Sequence, residues 1–431
     1  MSTVRSKAFW FYDKLKGGKV WKHYENISEI FNGNMDVKLH QDNKLKSILN
    51  YASNTTPYYR KYQDKNSIND FPVVNKNIIK ENSNLFKSEK VNLSKTVAMV
   101  TSGSTGTPFE VFQNKDKRAR NAADTIFFGE LAGYKLGEKL FYLKIWNDIN
   151  KKSLILSYAQ NIVPVNVFDL SDEFIESLIH NLESNRNVIH LLGYSSAFDN
   201  IIKYLDNHNF NRLHTNTGSI ISMSESLTDY TKDRMSYFFN VPIVSRYSNN
   251  ENGILAQQLV NDSRFLINQA SYYIEILHLD EDEQVNPGEL GRIVVTDYFN
   301  KAMPMIRYDT GDLGIMTQGI YNGKPVLYLE KVEGRKMDQI FKPNGDLISS
   351  YVVTNNMWKY KELRQYQFIQ LSDTKYKFKL NVSENFNREG ELISEFLGYL
   401  GDNAQIEIEY VNEIPLLSSG KRKKVVNQSN I

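Results

Sequence analysis

The chain has 431 residues, 41% of them hydrophobic and 24% charged, which suits a globular protein of more than one domain with a sizeable core. A net charge of +2 supplies no global field for nucleic acid or an anionic membrane, and no apolar run is long enough to span a bilayer. The absence of cysteine excludes disulfides, thiolate nucleophiles and Cys-ligated zinc, and with no targeting signal the expected compartment is the cytoplasm.

The chain opens with MSTVRSKAFWFYDKL, basic and aromatic but lacking the apolar stretch and small-residue cleavage site of a signal peptide. It could lie on a membrane surface; it is read as packing against the body. Residues 41–62 predict a helix ending near Asn54 and then an extended Pro-Tyr-Tyr segment. FPVVNK follows at 71–76, with Lys76 read as a surface lysine that could otherwise face substrate or phosphate. TSGSTGTPFEV, at 101–111, sets a nearly bare backbone ahead of a strand-like run, so several N–H groups can converge on one anion. It lacks the Gly-Lys-Ser/Thr of a Walker loop and is not G-x-G-x-x-G; a plain turn is the alternative.

From about 139 to 247, short apolar runs (KLFYLKIW, NIVPVNV, NVIHLLG, SIISM, VPIVSRY) alternate with amphipathic stretches, predicting a mainly parallel sheet covered by helices. RYSNNENG, at 246–253, sets Glu251 just past a strand end, where ligands bind in open α/β sheets; an ordinary polar loop is the alternative. From 272 to 331 the runs become hairpin-like and β-rich. They include RYDTGDLG, whose Asp312 can take two ribose hydroxyls or cap a tight turn. GRKMD, at 334–338, reads as a basic phosphate contact or a charged hinge. In the last stretch YKFKLNV and QIEIEYV alternate apolar and polar residues around the helical GELISEFLGYL, predicting a small α+β domain. PLLSSGKRKK then presents Lys421 on a Gly-containing loop, or forms a solvated basic tail.

In this order the motifs resemble the adenylate-forming superfamily of acyl- and aryl-CoA ligases, luciferases and peptide-synthetase adenylation domains. TSGSTGTP is similar to its phosphate loop, YDTGD to its Tyr-x-Thr-Gly-Asp element, GRKMD to its hinge and PLLSSGK to its C-terminal lysine loop. NTTPYYR, FPVVNK and LLGYSSAF resemble the phenylacetate–CoA ligase branch, and in particular the CapK-like proteins of capsular-polysaccharide gene clusters. The implied fold is α/β: a large domain over 1–333 with mainly parallel, helix-covered sheets and a β-rich subdomain, and a small mobile α+β domain over 334–431. Ser248, Asn250, the Ser222-Met223-Ser224-Glu225 run and Met337 depart from the superfamily's usual residues.

The resemblance implies attack of a carboxylate on the α-phosphate of ATP. Ser102, Gly103, Ser104, Thr105, Gly106 and Thr107 would hold the β- and γ-phosphates, and Glu251 would hold Mg²⁺. Asp312 would take the ribose, and Arg335 would add a phosphate or ribose contact. Ser224, Glu225 and Tyr247 would border adenine, and Lys421 would bridge the carboxylate and the α-phosphate. LLGYSSAF and the stretch from Tyr134 to Trp146 would border the acyl group. The acceptor would be CoA, a carrier-protein thiol or an amino sugar, and the implied setting is surface-polysaccharide synthesis. An F390-synthetase-like transfer of AMP to a hydroxyl is the alternative reaction, and an ATP-binding assembly factor the alternative without catalysis. A hydrolase elbow at Gly193-Tyr194-Ser195, with His208, His214 or His278 as base, lacks its second glycine. The seven histidines show no metal spacing, so no zinc site is expected, and His190 and His214 are read as packed.

Overall fold

The fold is seen in a computed structural model that describes residues 4–101, 109–146, 153–168, 170–335, 340–348, 353, 357–382, 386–401, 403–415 and 422–429. Two compact units emerge, one built from 1–101, 108–227 and 231–332, the other mainly from 333–431.

The larger unit begins with helices α1 (Val4–Leu15), α2 (Lys19–Phe31) and α3 (Val37–Thr55). Asp36 starts α3 by accepting the Leu39 N–H at 3.0 Å. Pro57 ends it by holding Thr56 extended (φ −119°, ψ 117°). The segment Pro57–Tyr62 is then a 3₁₀ helix rather than the extended run expected. Proline suits a first helical position, and the tighter turn lets Tyr58 stack on Phe86 at 4.0 Å while Tyr59 is fully buried. Asn75 caps α4 (Lys76–Glu81), and strands β1 (Val97–Thr101) and β2 (Phe109–Gln113) pair antiparallel, with Thr101 opposite Phe109. Helix α5 (Lys115–Leu131) follows.

The alternating section becomes β3 (Lys139–Lys144), α6 (Leu154–Gln160), β4 (Ile162–Asn166), α7 (Asp172–Glu183), β5 (Ile189–Tyr194), α8 (Ser195–Asn207), β6 (Thr217–Met223), α9 (Asp229–Phe239) and β7 (Ile243–Asn249). These strands lie in the order β4-β3-β5-β6-β7, and all are parallel, as the apolar–amphipathic rhythm predicts. Apolar residues of α8 recur at helical spacing, and Phe198, Ile201, Ile202 and Leu205 are all buried; each such side chain stabilises by roughly 1.5–3 kcal/mol.

The hairpin section is β8 (Gly253–Gln258), β9 (Phe265–Ile267), β10 (Tyr272–Leu277), β11 (Leu290–Asp297), β12 (Tyr308–Tyr321) and β13 (Lys324–Arg335). It continues the same sheet: β8 pairs antiparallel with β7, and the order runs on through β9, β13, β12 and β11 to β10, making eleven strands. The change from parallel to antiparallel pairing thus falls at the β7–β8 turn, where Glu251 sits.

In the smaller unit β14 (Ile340–Phe341) pairs with β15 (Leu347–Ile348). Beside this hairpin, β16 (Leu363–Gln370), β17 (Lys375–Val382), β18 (Gln405–Tyr410) and β19 (Val425–Asn427) form a sheet of order β18-β17-β16-β19. Tyr376, Phe378 and Leu380 point inward, where Phe396 of helix α10 (Glu389–Leu400) meets the Phe378 ring edge-on at 4.8 Å. Lys377, on the other face, reaches Glu407 at 2.8 Å and Glu409 at 3.0 Å. The expected alternation weakens at the edge strand β18, where Ile406 and Ile408 are only half-buried and Tyr410 is exposed. Among the described residues no helix is long and apolar enough to cross a membrane.

Candidate functional site

The β7–β8 turn is shaped by Asn249, whose side-chain oxygen accepts the Asn252 N–H at 2.8 Å. The turn leaves Glu251 only 7% exposed, with its backbone carbonyl held by the Gln113 amide at 2.8 Å. One carboxylate oxygen accepts the Tyr308 phenol at 3.4 Å. Burial, and then the Glu251 charge, push that phenol well above its ordinary pKa, so it stays a donor. The arrangement presents a single carboxylate. Such a donor set fits a hard divalent cation that takes its remaining ligands from phosphates and water, as Mg²⁺ does. Among the described residues no cluster of three metal-binding side chains occurs.

Asp312 is brought out by a bulge at the start of β12. Opposite β11, Val294 faces Asp309 and Arg292 faces Leu313, so Thr310, Gly311 and Asp312 outnumber the partner strand and leave the ladder. Gly311 turns the bulge at φ +80°, a conformation open to glycine. The Tyr247 phenol donates to Asp312 at 2.7 Å and to the Thr310 hydroxyl at 3.3 Å. The neighbouring Asp309 is otherwise committed, to Arg292 at 2.8 Å and the Gly311 N–H at 2.8 Å. A carboxylate oriented by a phenol in this way offers acceptor atoms of the kind that vicinal hydroxyls require.

At the end of β6, Ser224 is exposed and adopts φ +70°, a strained value for a residue with a side chain. Glu225 accepts the Ser196 N–H at 2.9 Å and so caps α8. The described contact of that carboxylate is therefore with a helix start. The Ser195 hydroxyl meets Ser222 and the Glu225 carbonyl and is buried, while His208 bonds the Tyr204 carbonyl and His278 is exposed. No imidazole is among the described partners of Ser195, so the hydrolase arrangement is not formed. His190 is packed as expected, between Ser219 at 2.8 Å and Glu138 at 2.8 Å, with burial lowering its pKa. His214 is exposed instead of packed, because it lies in the open connection ahead of β6, where its backbone N–H reaches Glu183.

Lys76 is not the surface lysine expected. Val74 bridges to Tyr308, with Val74 N–H donating to the Arg307 carbonyl at 2.9 Å and Asp309 N–H to the Val74 carbonyl at 2.8 Å. This pins the FPVVNK segment to β12 and leaves Lys76 half-buried, 5.2 Å from the Phe109 ring centroid. Phe109 stacks near Tyr308 at 6.5 Å, so one line runs from Lys76 through two rings to Glu251. Gln113, Phe109, Tyr308 and Arg292 were not among the candidates drawn from the sequence. Arg246 was also missed. It is buried beside Met223 on β6, its Nε donates to Gln257 at 2.8 Å, and burial pushes its pKa down to about 10. On the same face the Tyr142 phenol meets the Met223 sulfur at 3.8 Å, within the stretch expected to border the acyl group.

Thus Glu251, Tyr247, Asp312, Ser224 and Glu225 all lie at strand ends of the large unit, Ser224, Glu225 and Glu251 just past the carboxyl ends of parallel strands. Residues Ser102, Gly103, Ser104, Thr105, Gly106, Thr107 and Lys421 lie outside the described residues, as does the side chain of Arg335, the last residue of β13.

The fold and these strand-end residues define the class: this is the fold of the adenylate-forming CoA ligases. A 2-hydroxyisobutyryl-CoA ligase in complex with R3-HIB-AMP superposes with a TM-score of 0.70 at 16% identity, covering 90% of this chain and 89% of that one. Residues 340–428 match the CapK C-terminal domain family. The chain is 24% identical to Protein CapK of Staphylococcus aureus, over 99% of this chain and 96% of that protein. It is also 25% identical to a phenylacetate-coenzyme A ligase of Pseudomonas putida, over 36% of this chain and 30% of the ligase.

Proposed function

We propose that the protein activates a carboxylic acid with ATP, forming an acyl-adenylate and pyrophosphate, and then passes the acyl group to CoA or to another thiol or amine. The observation that carries this reading is the pairing of Asp312, steered by the Tyr247 phenol at 2.7 Å, with Glu251 on the neighbouring turn. One carboxylate is suited to a ribose diol and the other to a phosphate-bound cation. The reaction brings two anions together, so it needs positive charge and fixed donors where charge develops. Residues 102–107 supply backbone N–H groups and hydroxyls to the phosphates, Lys421 and Arg335 supply cations, and Glu251 carries Mg²⁺, which neutralises phosphate charge. Lys76, half-buried over Phe109, stands on the same side as Glu251 and adds a further cation. Met223, Tyr142 and Arg246 form the wall against which the acyl group rests. In this reading residues 334–338 are the pivot of a mobile small domain over 334–431, and the acceptor belongs to surface-polysaccharide assembly. Structures of similar fold, one ligase bound to R3-HIB-AMP or to 2-HIB-AMP with CoA and a chimera bound to ATP, support the nucleotide and acceptor chemistry.

Pyrophosphate release across a panel of carboxylic acids, with hydroxylamine trapping and with or without CoA, tests the reading. A hydroxamate formed only with ATP and one class of acid is the expected result. Pyrophosphate release that leaves AMP on a hydroxyl acceptor would replace it with adenylyl transfer. Nucleotide binding with no turnover on any acid would point to an assembly role.

A further inference from the structure

The outer face of α1 is built the wrong way round for a helix of a globular body. Val4, Ala8, Phe11 and Leu15 recur at helical spacing on one side, and that side is exposed: Val4 is 85%, Phe11 65% and Leu15 70% open to solvent. The inner side holds Ser6, Trp10 and Asp13. Trp10 meets Trp21 edge-on at 4.9 Å, so the helix is anchored by its polar and aromatic face. Asp13 is the single acid of α1, and it is turned inward to accept the Val20 and Trp21 N–H groups at 3.2 and 2.9 Å. What remains outside is an apolar stripe beside the exposed Tyr12, and its charged neighbours along the helix and just past its end are all cations, Lys7 and Lys14 on one edge, Arg5 and Lys16 on the other.

The patch extends to a second helix. The Arg5 guanidinium lies 5.3 Å from the Tyr158 ring, joining α1 to α6, where Leu154 is 87% and Ile155 84% exposed. A soluble monomer rarely leaves so many large apolar groups together in water. Apolar groups edged by Lys and Arg match the boundary between acyl chains and anionic headgroups, where each part of the face is satisfied.

We infer that the α1–α6 face docks the protein on an anionic lipid bilayer, lying in the interface without crossing it. The occupant is set by charge: the rim of the stripe is positive, so a second copy of the same face would oppose like charges, whereas phosphatidylglycerol headgroups neutralise them. The inference does not depend on the ligase reading, because binding to vesicles is measured without turnover.

The test is co-sedimentation of the full chain with vesicles of mixed phosphatidylglycerol and phosphatidylcholine, against vesicles of phosphatidylcholine alone. The wild type sediments with the anionic vesicles and several-fold less with the neutral ones. Phe11→Ser with Leu15→Ser weakens the binding by roughly tenfold or more, because the apolar groups no longer enter the interface. Lys7→Gln and Lys14→Gln weaken it by roughly fivefold per cation removed. Leu154→Ser with Ile155→Ser, on the second helix, gives a loss of the same kind. Unchanged melting temperatures show that these exposed variants remain folded. Equal sedimentation of the wild type and Phe11→Ser/Leu15→Ser overturns the inference. So does a wild-type dimer in light scattering that this variant dissolves, with no vesicle binding by either.

Discussion

Helices α1 and α5 invert one another. The outward face of α1 carries Phe11 and Leu15 into solvent, whereas α5, whose first turns read KDKRARNAAD, buries Lys117, Arg120 and Asp124 completely. Lys117 lies 2.6 Å from Asp297, and the Ser271 hydroxyl donates to Asp124 at 2.8 Å while receiving the Arg120 Nε–H at 2.8 Å. Charge is tolerated inside because it is paired and hydrogen-bonded, since a lone buried charge costs several kcal/mol. Apolar surface is tolerated outside when something other than water covers it. Hydrophobicity alone therefore orients neither helix; the groups waiting on each side do.

The largest effect expected comes from unpairing the α5 charges. Asp297→Ala strands the Lys117 ammonium at full burial, and urea unfolding should show a loss of about 3–5 kcal/mol. A loss no greater than that of a surface variant would mean that the buried pair does not hold the helix. Next comes Glu251→Gln, at the buried carboxylate to which the proposed reaction assigns the cation. Pyrophosphate release should fall about 10²–10³-fold with the melting temperature unchanged, because a neutral amide binds a hard cation poorly. Parental turnover in that variant would remove Glu251 from the metal role.

Tyr247→Phe removes the donor that steers Asp312, and nucleotide affinity measured by calorimetry should weaken roughly tenfold, the worth of a hydrogen bond to a charged group. Affinity equal to that of the wild type would detach Asp312 from the ribose. A gentler change follows pH. His40 is buried against the Ala270 carbonyl at 3.0 Å, and burial lowers its pKa from 6.5 to about 4. The folded state thus prefers the neutral ring, and its contribution is present above pH 6.5. It is lost as the pH falls toward 4, because the unfolded chain takes up the proton first. His40→Gln should flatten the melting-temperature profile across that window. The smallest effect is on α1, where Phe11→Ser with Leu15→Ser should change stability in solution by no more than about 0.5 kcal/mol per site. A larger loss would show that the stripe packs against the protein itself.

The helices and strands from 139 to 247 were legible because each buries one face and repeats with its own period. The opening of α1 was read only in part: its aromatics were assigned to packing, and Trp10 does pack, but Phe11 and Leu15 do not. The sequence stretch of α5 offered no amphipathic pattern, because Asp297, which neutralises Lys117, and Ser271, which hydrogen-bonds Arg120 and Asp124, lie more than a hundred residues away. Lys76 was read as a surface lysine for the same reason, since its position is decided by the bridge between Val74 and Tyr308.

By itself the sequence determined the parallel order of local units, the small α+β domain, and the identity of the strand-end residues Glu251, Tyr247 and Asp312. The first two follow from short-range periodicity and Glu251 and Asp312 from turn chemistry, whereas Tyr247 was implied by the resemblance to the adenylate-forming superfamily. Only the tertiary structure decided that the hairpins extend the same eleven-stranded sheet and that a bulge opposite Ile293 thrusts Asp312 outward. It alone decided that Glu225 caps α8 while Tyr308 meets Glu251. Those outcomes depend on pairing between residues far apart in the chain, where register and burial, rather than local propensity, select the partner.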